Sequence, residues 1–362
     1  MGRIQKKVPA RARASHPTIA TLAAHLGVSR STVTHVLNGR AQEQRIRPET
    51  QKRVLDVAQE LGYRSNASAR AIRAGRYGSV ALIQSQLGQY LPPELLCGLT
   101  TAIAAEDLHL VLTEVANVDA TGESYVEHTM RQLSVDGVIM NRHGESAPPF
   151  LDRIRELRIP AIFLNAKLDF DCIYPDDLMG GRLAAEFLLR LGHERIAYVE
   201  TELRCNPHYS ERDRRTGYEQ AMESAGLTPR VHQVPVGWRI PEDPSADRRV
   251  DAAIGLLASP HRPTAVIAYE QTEVMAVVHA AHLLQLRIPN DLSLIRFHNC
   301  IDDRSFMPIH TVSNNMRGVG EGAVKLLLQK IANPDQAFPA QVVPEALIEG
   351  ATCLAPGASP SS

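Results

Sequence analysis

The sequence predicts an α/β protein, with a small all-α helix-turn-helix domain followed by a bilobed core of two parallel sheets covered by helices. Three observations carry this. Thr18–Asn38, TIATLAAHLGVSRSTVTHVLN, has the apolar spacing of two short helices around a tight turn. From Ser79 onward, short apolar strands alternate with amphipathic helices, the rhythm of parallel sheets. Charge is also divided along the chain. Residues 1–76 hold 15 Lys/Arg against 4 Asp/Glu, a net of +11; from totals of 39 and 40, the remainder holds 24 against 36, a net of −12. Such asymmetry points to a polyanion-binding module joined to a part that binds no polyanion.

Ile19, Leu22, Ala23 and Leu26 give the first helix its apolar face, Gly27 ends it, and Val28 plugs the turn. Ser29 is placed to cap the second helix through its hydroxyl. On that helix Val33, Val36 and Leu37 point inward, whereas Arg30, Ser31, Thr34 and His35 share the opposite side. A short helix with this back and this front suits a DNA major groove. Residues 39–47, GRAQEQRIR, form a polar basic loop. Pro48 opens a third helix with Glu49 in its first turn; Val54, Leu55, Val57, Ala58 and Leu61 supply its core face, and Gly62 stops it. Arg64–Arg76, RSNASARAIRAGR, reads either as a flexible linker or as a short helix that forms on DNA and lies in the minor groove.

In the acidic part, strands are expected at Val80–Ile83, Leu108–Thr113, Gly137–Met140, Ala161–Leu164, Ile196–Val199, Ala265–Ala268 and Ser293–Phe297. Helices are expected near Leu95–Glu106, Glu123–Leu133, Gly180–Leu191, Arg214–Ala225 and Val274–Leu286. A last helix is expected at Ala323–Ile331, with Gly318-Val-Gly320-Glu-Gly322 as its flexible start. Ligands of such folds bind at the carboxyl ends of strands, in the cleft between lobes. Gly180-Gly181 reads as a close helix contact and His193 as a structural turn residue. Ser210, His208 and Asp213 can be drawn as a triad, but no nucleophile elbow surrounds them. No catalytic constellation and no cofactor is expected.

Cys97, Cys172, Cys205, Cys300 and Cys353 are odd in number and scattered, which excludes a complete disulfide framework and resembles no zinc site. No apolar run approaches a membrane span. The N-terminal MGRIQKKVPARARASHP is basic without the apolar centre of a secretory signal, and reads as an arm adding phosphate contacts.

TIATLAAHLGVSRSTVTHVLN, the later ELGYRSNASARAIRAGR and the strand SVALI resemble the start of a LacI/GalR-family transcriptional regulator. DGVIM, IPAIFLN, PDDLMGGRLAAEFLLRLGHERIAYV, RRTGYEQAMESAGL and RIPNDLSLIRFHN extend the resemblance over nearly the whole chain. It implies a periplasmic-binding-protein-like (type I) core that closes on a small effector. It also implies a cytoplasmic homodimer on near-palindromic double-stranded DNA, with no enzyme activity, metal or membrane partner. By this resemblance Arg30, Ser31 and His35 read bases, while Ser29, Thr32 and Asn38 contact phosphate or frame the recognition helix. Thr18, Thr34 and Tyr63 join the DNA-contacting set. Asn66–Arg73 matches the hinge helix, contributing Asn66, Arg70 and Arg73, with Ile72 as a wedge that bends the duplex where the family has leucine. Ser65 replaces the usual proline. The loop between Asn38 and Thr50 is about three residues longer than the family spacing, either as a tolerated insertion or with Arg40, Arg45 and Arg47 reaching phosphates. Arg47 stands at the usual Ser cap position.

The corresponding domains are a disordered basic arm (1–17), the helix-turn-helix domain (18–64), a hinge helix or linker (65–77), the core (78–355) and a disordered tail (356–362). Within the core, one lobe is assigned 78–173 and 305–332, and the other 174–304 and 333–355. The effector site is expected to use Gln89, Arg142, Asn165, Arg214, Glu270, Gln271, Arg296 and His298. The family's Asn-Asp reads Glu270-Gln271 here, and its Gly-Phe-Asp reads Arg296-Phe297-His298. Arg for Gly and His for Asp make that edge more positive and favour an anionic sugar derivative. Glu270 argues against a uniformly cationic pocket, and the alternative is that Arg296 points away from the cleft. The expected function is an effector-controlled repressor, with an activator or effector-independent repressor of the same family as alternatives. A solute-binding protein is the alternative outside the family.

Overall fold

The computed structural model describes residues 17–63, 76–85, 91–115, 135–141, 148–202, 208–235, 245–298 and 308–357. The arm, the hinge segment 64–75, the helix expected near 123–133 and the last residues of the tail lie outside that set. The chain divides into two units between Tyr77 and Gly78.

The first unit holds α1 (Ile19–Leu26), α2 (Arg30–Leu37) and α3 (Pro48–Glu60). Leu22, Val33 and Val54, one from each helix, are fully buried at its centre. Thr18 and Thr21 cap α1 reciprocally: Thr21 N–H donates to Thr18 Oγ1 at 3.2 Å and Thr18 N–H to Thr21 Oγ1 at 3.3 Å. Gly27 then turns the chain left-handed at φ 67°. The loop after α2 is folded on itself. Ala41 is buried in the helical core, and Ile46 N–H donates to Ala41 O at 2.9 Å. One expectation is corrected: Leu55 is 53 % exposed. One helical step from Val54 carries it off the stripe formed by Val54, Ala58 and Leu61.

The second unit contains two six-stranded sheets. The first comprises β1 (Ser79–Ser85), β2 (His109–Val115), β3 (Gly137–Asn141), β4 (Ala161–Leu164), β5 (Cys172–Pro175) and β11 (Gln341–Val343). These are all parallel, in the order β11-β5-β4-β3-β1-β2. It packs with α4 (Pro93–Ala105) and α10 (Met316–Ala332) on one face and α5 (Pro148–Glu156) on the other. The second sheet comprises β6 (Ile196–Thr201), β7 (Arg230–Val234), β8 (Ala265–Ala268), β9 (Ser293–His298), β10 (His310–Ser313) and β12 (Ala346–Ile348). Its order is β12-β10-β9-β8-β6-β7, parallel except for β12 against β10. On one face lie α6 (Asp177–Arg190) and α7 (Tyr209–Ser224), and on the other α8 (Ser245–Leu257) and α9 (Gln271–Leu283). Strands covered on both faces read as continuous apolar runs, and every residue of β3, β4 and β8 is buried.

The chain crosses between lobes three times: from β5 into α6, from β10 into α10, and from β11 into β12. Residues 308–313 therefore belong to the second lobe and 333–343 to the first, the reverse of the expected assignment. HTVS and QVV are too short to carry a periodic signal. The second crossover is held by Asn315, left-handed at φ 43°, whose Oδ1 accepts from Gly318 N–H at 3.1 Å.

The Gly318–Gly322 run also departs from expectation, because it lies inside α10. A Cβ on Gly320 would sit 2.6 Å from Leu95 O, and one on Gly98 2.2 Å from Arg317 O, so α4 and α10 meet backbone to backbone. The same device joins α6 to α7, where a Cβ on Gly181 would lie 2.0 Å from Arg214 O and one on Gly217 2.1 Å from Leu178 O. His193 is structural. Its ring is buried, with Nδ1 2.9 Å from Thr264 Oγ1 and Nε2 2.9 Å from Leu354 O, and burial lowers its basicity. Among the described residues no helix is long and apolar enough to cross a membrane.

These contacts separate two glycine substitutions. Gly217→Ala should lose about 1–3 kcal/mol in urea denaturation, because backbone must move to admit the methyl group. Gly255→Ala, in α8 with nothing within 4 Å of the added Cβ, should gain about 0.5–1 kcal/mol. Equal effects would contradict the packing assigned to α6 and α7.

Candidate functional site

The first unit presents α2 as its polar helix. Ser29 Oγ accepts from Thr32 N–H at 3.0 Å and lies 2.7 Å from Ser31 Oγ. Arg30 and Ser31 stand exposed at the start of the helix, while Val33 and Val36 are buried behind them. His35 is half-buried one turn further on, and Asn38 is exposed beyond the last turn. Thr34 donates its hydroxyl to Arg30 O at 2.8 Å, so that oxygen stays on the helix backbone. Thr18 is exposed but used as a cap, and Tyr63 packs partly into the helical core. Arg47 supplies no side-chain cap to α3, as expected of a guanidinium that has no acceptor. Arg40, Arg45 and Arg47 are all exposed around the loop. Asn66, Arg70, Ile72 and Arg73 lie outside the described residues, as do Gln89 and Arg142 of the effector set.

In the second unit, the carboxyl end of β4 meets the start of α7 across the lobes. Asn165 follows β4 at φ 51°, a left-handed position that Asn tolerates. Its backbone oxygen lies 2.9 Å from His208 Nε2, and its Oδ1 accepts from Tyr209 OH at 3.1 Å. Lys167, two residues on, pairs with Asp213 of α7. Because a carbonyl only accepts, Nε2 is the donor of His208, and Nδ1 accepts from Ser210 N–H at 3.3 Å. His208 Nδ1 is also 2.7 Å from Ser210 Oγ, but Asp213 serves Lys167 rather than the imidazole. The group is a helix cap and an interlobe clasp, not a triad.

Arg214, one turn into α7, is 7 % exposed. Its Nε donates to Asp177 Oδ1 at 2.6 Å and its Nη1 to Tyr269 O at 3.3 Å. The guanidinium carbon lies 4.5 Å from the Phe297 ring centroid and 5.0 Å from that of Tyr269. Burial works most strongly against its charge, but Asp177 and the other acidic and phenolic groups around it together outweigh burial, and the proton is held more tightly than usual. Burial likewise raises the phenols of Tyr269 and Tyr209 above the ordinary tyrosine value. Ser210 Oγ lies 2.9 Å from Tyr269 OH, closing a floor of Tyr209, Ser210, Tyr269 and Phe297 around the arginine.

Arg296 is placed differently. It is 2 % exposed, and its guanidinium donates to Gln271 Oε1 at 2.8 Å and Thr311 Oγ1 at 3.2 Å. Ile295 and Phe297 face α6 and α7, so alternation along β9 turns Arg296 to the α8–α9 side, away from Arg214. Gln271 is thereby occupied with Arg296. Glu270, half-buried after β8, uses its N–H to bond Glu273 Oε2 at 3.0 Å. His298 ends β9, paired in register with Ser313, and its side chain lies outside the described set. Asp177, Tyr209 and Tyr269 escaped the sequence reading. Asp177 does stand in the first turn of the helix carrying Gly180-Gly181, and Tyr269 directly follows an apolar strand.

Two ion pairs should respond very differently to loss of one partner. Asp177→Ala leaves Arg214 buried without its counter-ion and should cost about 3–5 kcal/mol in chemical denaturation. Arg155→Ala breaks a pair with Asp152 whose side chains are 60 % and 65 % exposed, and should cost about 0–1 kcal/mol. Comparable losses would contradict the buried status of the first pair.

Comparison with known proteins agrees with this architecture. Residues 18–66 match the model of bacterial regulatory proteins of the lacI family, and residues 185–353 that of a periplasmic binding protein-like domain. The HTH-type transcriptional repressor PurR of Klebsiella pneumoniae (strain 342) is 28 % identical over 323 residues, covering 87 % of this chain and 91 % of that protein. Among solved structures, the lac repressor dimer bound to operator and the anti-inducer ONPF aligns with a TM-score of 0.75 at 21 % identity, covering 93 % of this chain and 99 % of that one. The transcriptional regulator CelR in its cellobiose complex aligns at a TM-score of 0.61 and 22 % identity, with coverage of 93 % and 99 %. The chain thus carries a lacI-type helix-turn-helix domain at residues 18–66 and a periplasmic-binding-protein-like domain at residues 185–353, and is similar over 87 % of its length to a PurR repressor.

Proposed function

We propose that this chain is a cytoplasmic, homodimeric transcriptional repressor that binds a near-palindromic double-stranded operator and is controlled by a small carbohydrate-like ligand between its lobes. The observation that carries this reading is α2: a buried apolar back, a serine-capped start, and Arg30 and Ser31 exposed beside His35. Arg30, Ser31 and His35 face base edges, while Ser29, Thr32 and Asn38 hold the sugar–phosphate backbone. The excess of 11 positive charges within residues 1–76 supplies the sequence-independent part of the attraction. The PurR relative is a repressor by name, and the aligned lac repressor was crystallised on its operator.

The cleft favours a neutral, hydroxyl-rich ligand over an anion. Arg214 already faces Asp177, and Arg296 is engaged by Gln271 and Thr311 on the far side of the sheet. What remains at the strand ends is the half-buried ring of Tyr269 and the half-buried Glu270 carboxylate, groups that stack on and hydrogen-bond to a polyol. The aligned CelR structure holds cellobiose.

Binding to a selected operator should weaken steeply with salt, and Arg30→Ala should relax discrimination at one base position by about 1–3 kcal/mol. If Arg30→Ala weakens all sequences equally, the residue contacts only phosphate. In a thermal-shift panel of neutral sugars, sugar acids and sugar phosphates, only neutral members should raise the melting temperature. A rise confined to the anions would reverse the reading of the cleft.

A further inference from the structure

The first and third crossovers bring two carboxyl groups together inside the protein. Asp177 opens α6 after the first crossover and is 2 % exposed; Glu345 lies between β11 and β12 in the third and is 7 % exposed. The Glu345 carboxyl occupies the space left by Gly180, where a Cβ would fall 1.8 Å from Glu345 Oε2. Asp177 Oδ1 takes the Arg214 bond, but Asp177 Oδ2 and both Glu345 oxygens are buried without a hydrogen bond among the described residues; the Tyr209 hydroxyl beside Asp177 donates to Asn165 Oδ1 instead. Three orphaned acceptors beside one arginine cannot all be satisfied as carboxylates. Solvent does not reach these atoms, so the missing partner is not a ligand entering from the cleft.

We propose that Glu345 is a neutral carboxylic acid that donates its hydrogen to Asp177 Oδ2, so that one shared proton ties the first crossover to the third. The donation satisfies Asp177 Oδ2 and gives the Glu345 hydroxyl its partner. It leaves Arg214 and Asp177 as the charged pair of a cluster with no net charge. The groups facing Glu345 are consistent with this. Burial and then the neighbouring Asp177 push its carboxyl well above the ordinary glutamate value, and Asp176 acts in the same direction. Arg214 of α7 opposes them without prevailing. Tyr209 and Tyr269, the other titratable groups around Arg214, have phenols raised by burial and stay neutral. Ionising Glu345 sets two like charges against each other across the interlobe connections, making the connection between the lobes sensitive to alkaline pH. This inference concerns the core alone and stands whether or not the protein represses transcription.

The sign of the effect follows from the raised value. The native state holds the Glu345 proton more tightly than the unfolded chain does. Its stabilisation is therefore complete below the unfolded glutamate pKa and is lost as pH rises through the native value. Glu345→Gln keeps a donor for Asp177 and cannot ionise, so it should flatten the alkaline fall in stability. Glu273, whose carboxyl is pushed up to about 7 mainly by burial, titrates in a neighbouring range and is removed from the comparison with a Glu273→Gln background. Infrared difference spectra at neutral pH between Glu273→Gln and Glu273→Gln/Glu345→Gln should show the carbonyl band of one protonated acid. If the double variant does not fold, carboxyl carbon-13 resonances of glutamate-labelled Glu273→Gln protein report the same proton directly. One glutamate in the protonated position at neutral pH is the expected result. A spectrum with all glutamates ionised, or pH profiles that fall in parallel with and without Glu345→Gln, overturns the proposal.

Discussion

The buried Arg214–Asp177 pair is the constraint around which the second unit is arranged. A guanidinium that is 7 % exposed cannot be left without a counter-charge, and Asp177 supplies it at 2.6 Å from the first turn of the neighbouring helix. The pair forms only if α6 and α7 run almost backbone to backbone, which Gly181 and Gly217 permit by having no Cβ. Its cation lies against Phe297 and Tyr269, so the ends of β8 and β9 are tied to α7. Because Asp177 is also the first residue of α6 after the first crossover, one ion pair fixes the cleft floor and one of the three interlobe connections together.

The two lobes touch elsewhere through lighter contacts. His208 and Tyr209 reach Asn165 from the start of α7, and Lys167 meets Asp213. These contacts are partly exposed and use single hydrogen bonds or a screened ion pair, interactions that exchange readily with a ligand's own groups. A firm floor with a weaker clasp above it is the arrangement a closing cleft needs. The helical unit follows a different economy. Three short helices share a core led by Leu22, Val33 and Val54, and reciprocal threonine capping, Gly27 and the buried Ala41 fix their turns. Nearly all of its polar chemistry is left for the surface.

The helix-turn-helix unit was almost wholly legible, because its signals are local: helical spacing, a serine cap and a glycine stop. The strands were legible for the same reason wherever they had four or more apolar residues, whereas the helices α5 and α8 were not expected. Lobe membership was not. It depends on Asn315 turning the chain between lobes, and on β10, β11 and β12, segments too short to show a period. In the cleft, Arg214 stood among the expected effector residues, yet its neutralisation by Asp177 joins residues 37 apart. Arg296 shows the limit most clearly. Its charge invited a ligand-binding role, and only strand alternation in a known sheet turns it toward Gln271 and Thr311. The Glu345–Asp177 contact joins two crossovers far apart in sequence and leaves no local mark.

The central claim is that a small ligand in the cleft governs how tightly the protein holds its operator. Linkage makes this testable from both sides, because the factor by which the ligand changes operator affinity must equal the factor by which operator changes ligand affinity. The most direct measurement is a pair of titrations with a neutral sugar that stabilises the protein: operator binding with and without saturating sugar, and sugar binding with and without saturating operator. The account predicts one factor, different from unity and equal in the two titrations. Operator and sugar affinities that ignore each other would contradict it, leaving a DNA-binding unit joined to a core that does not control it.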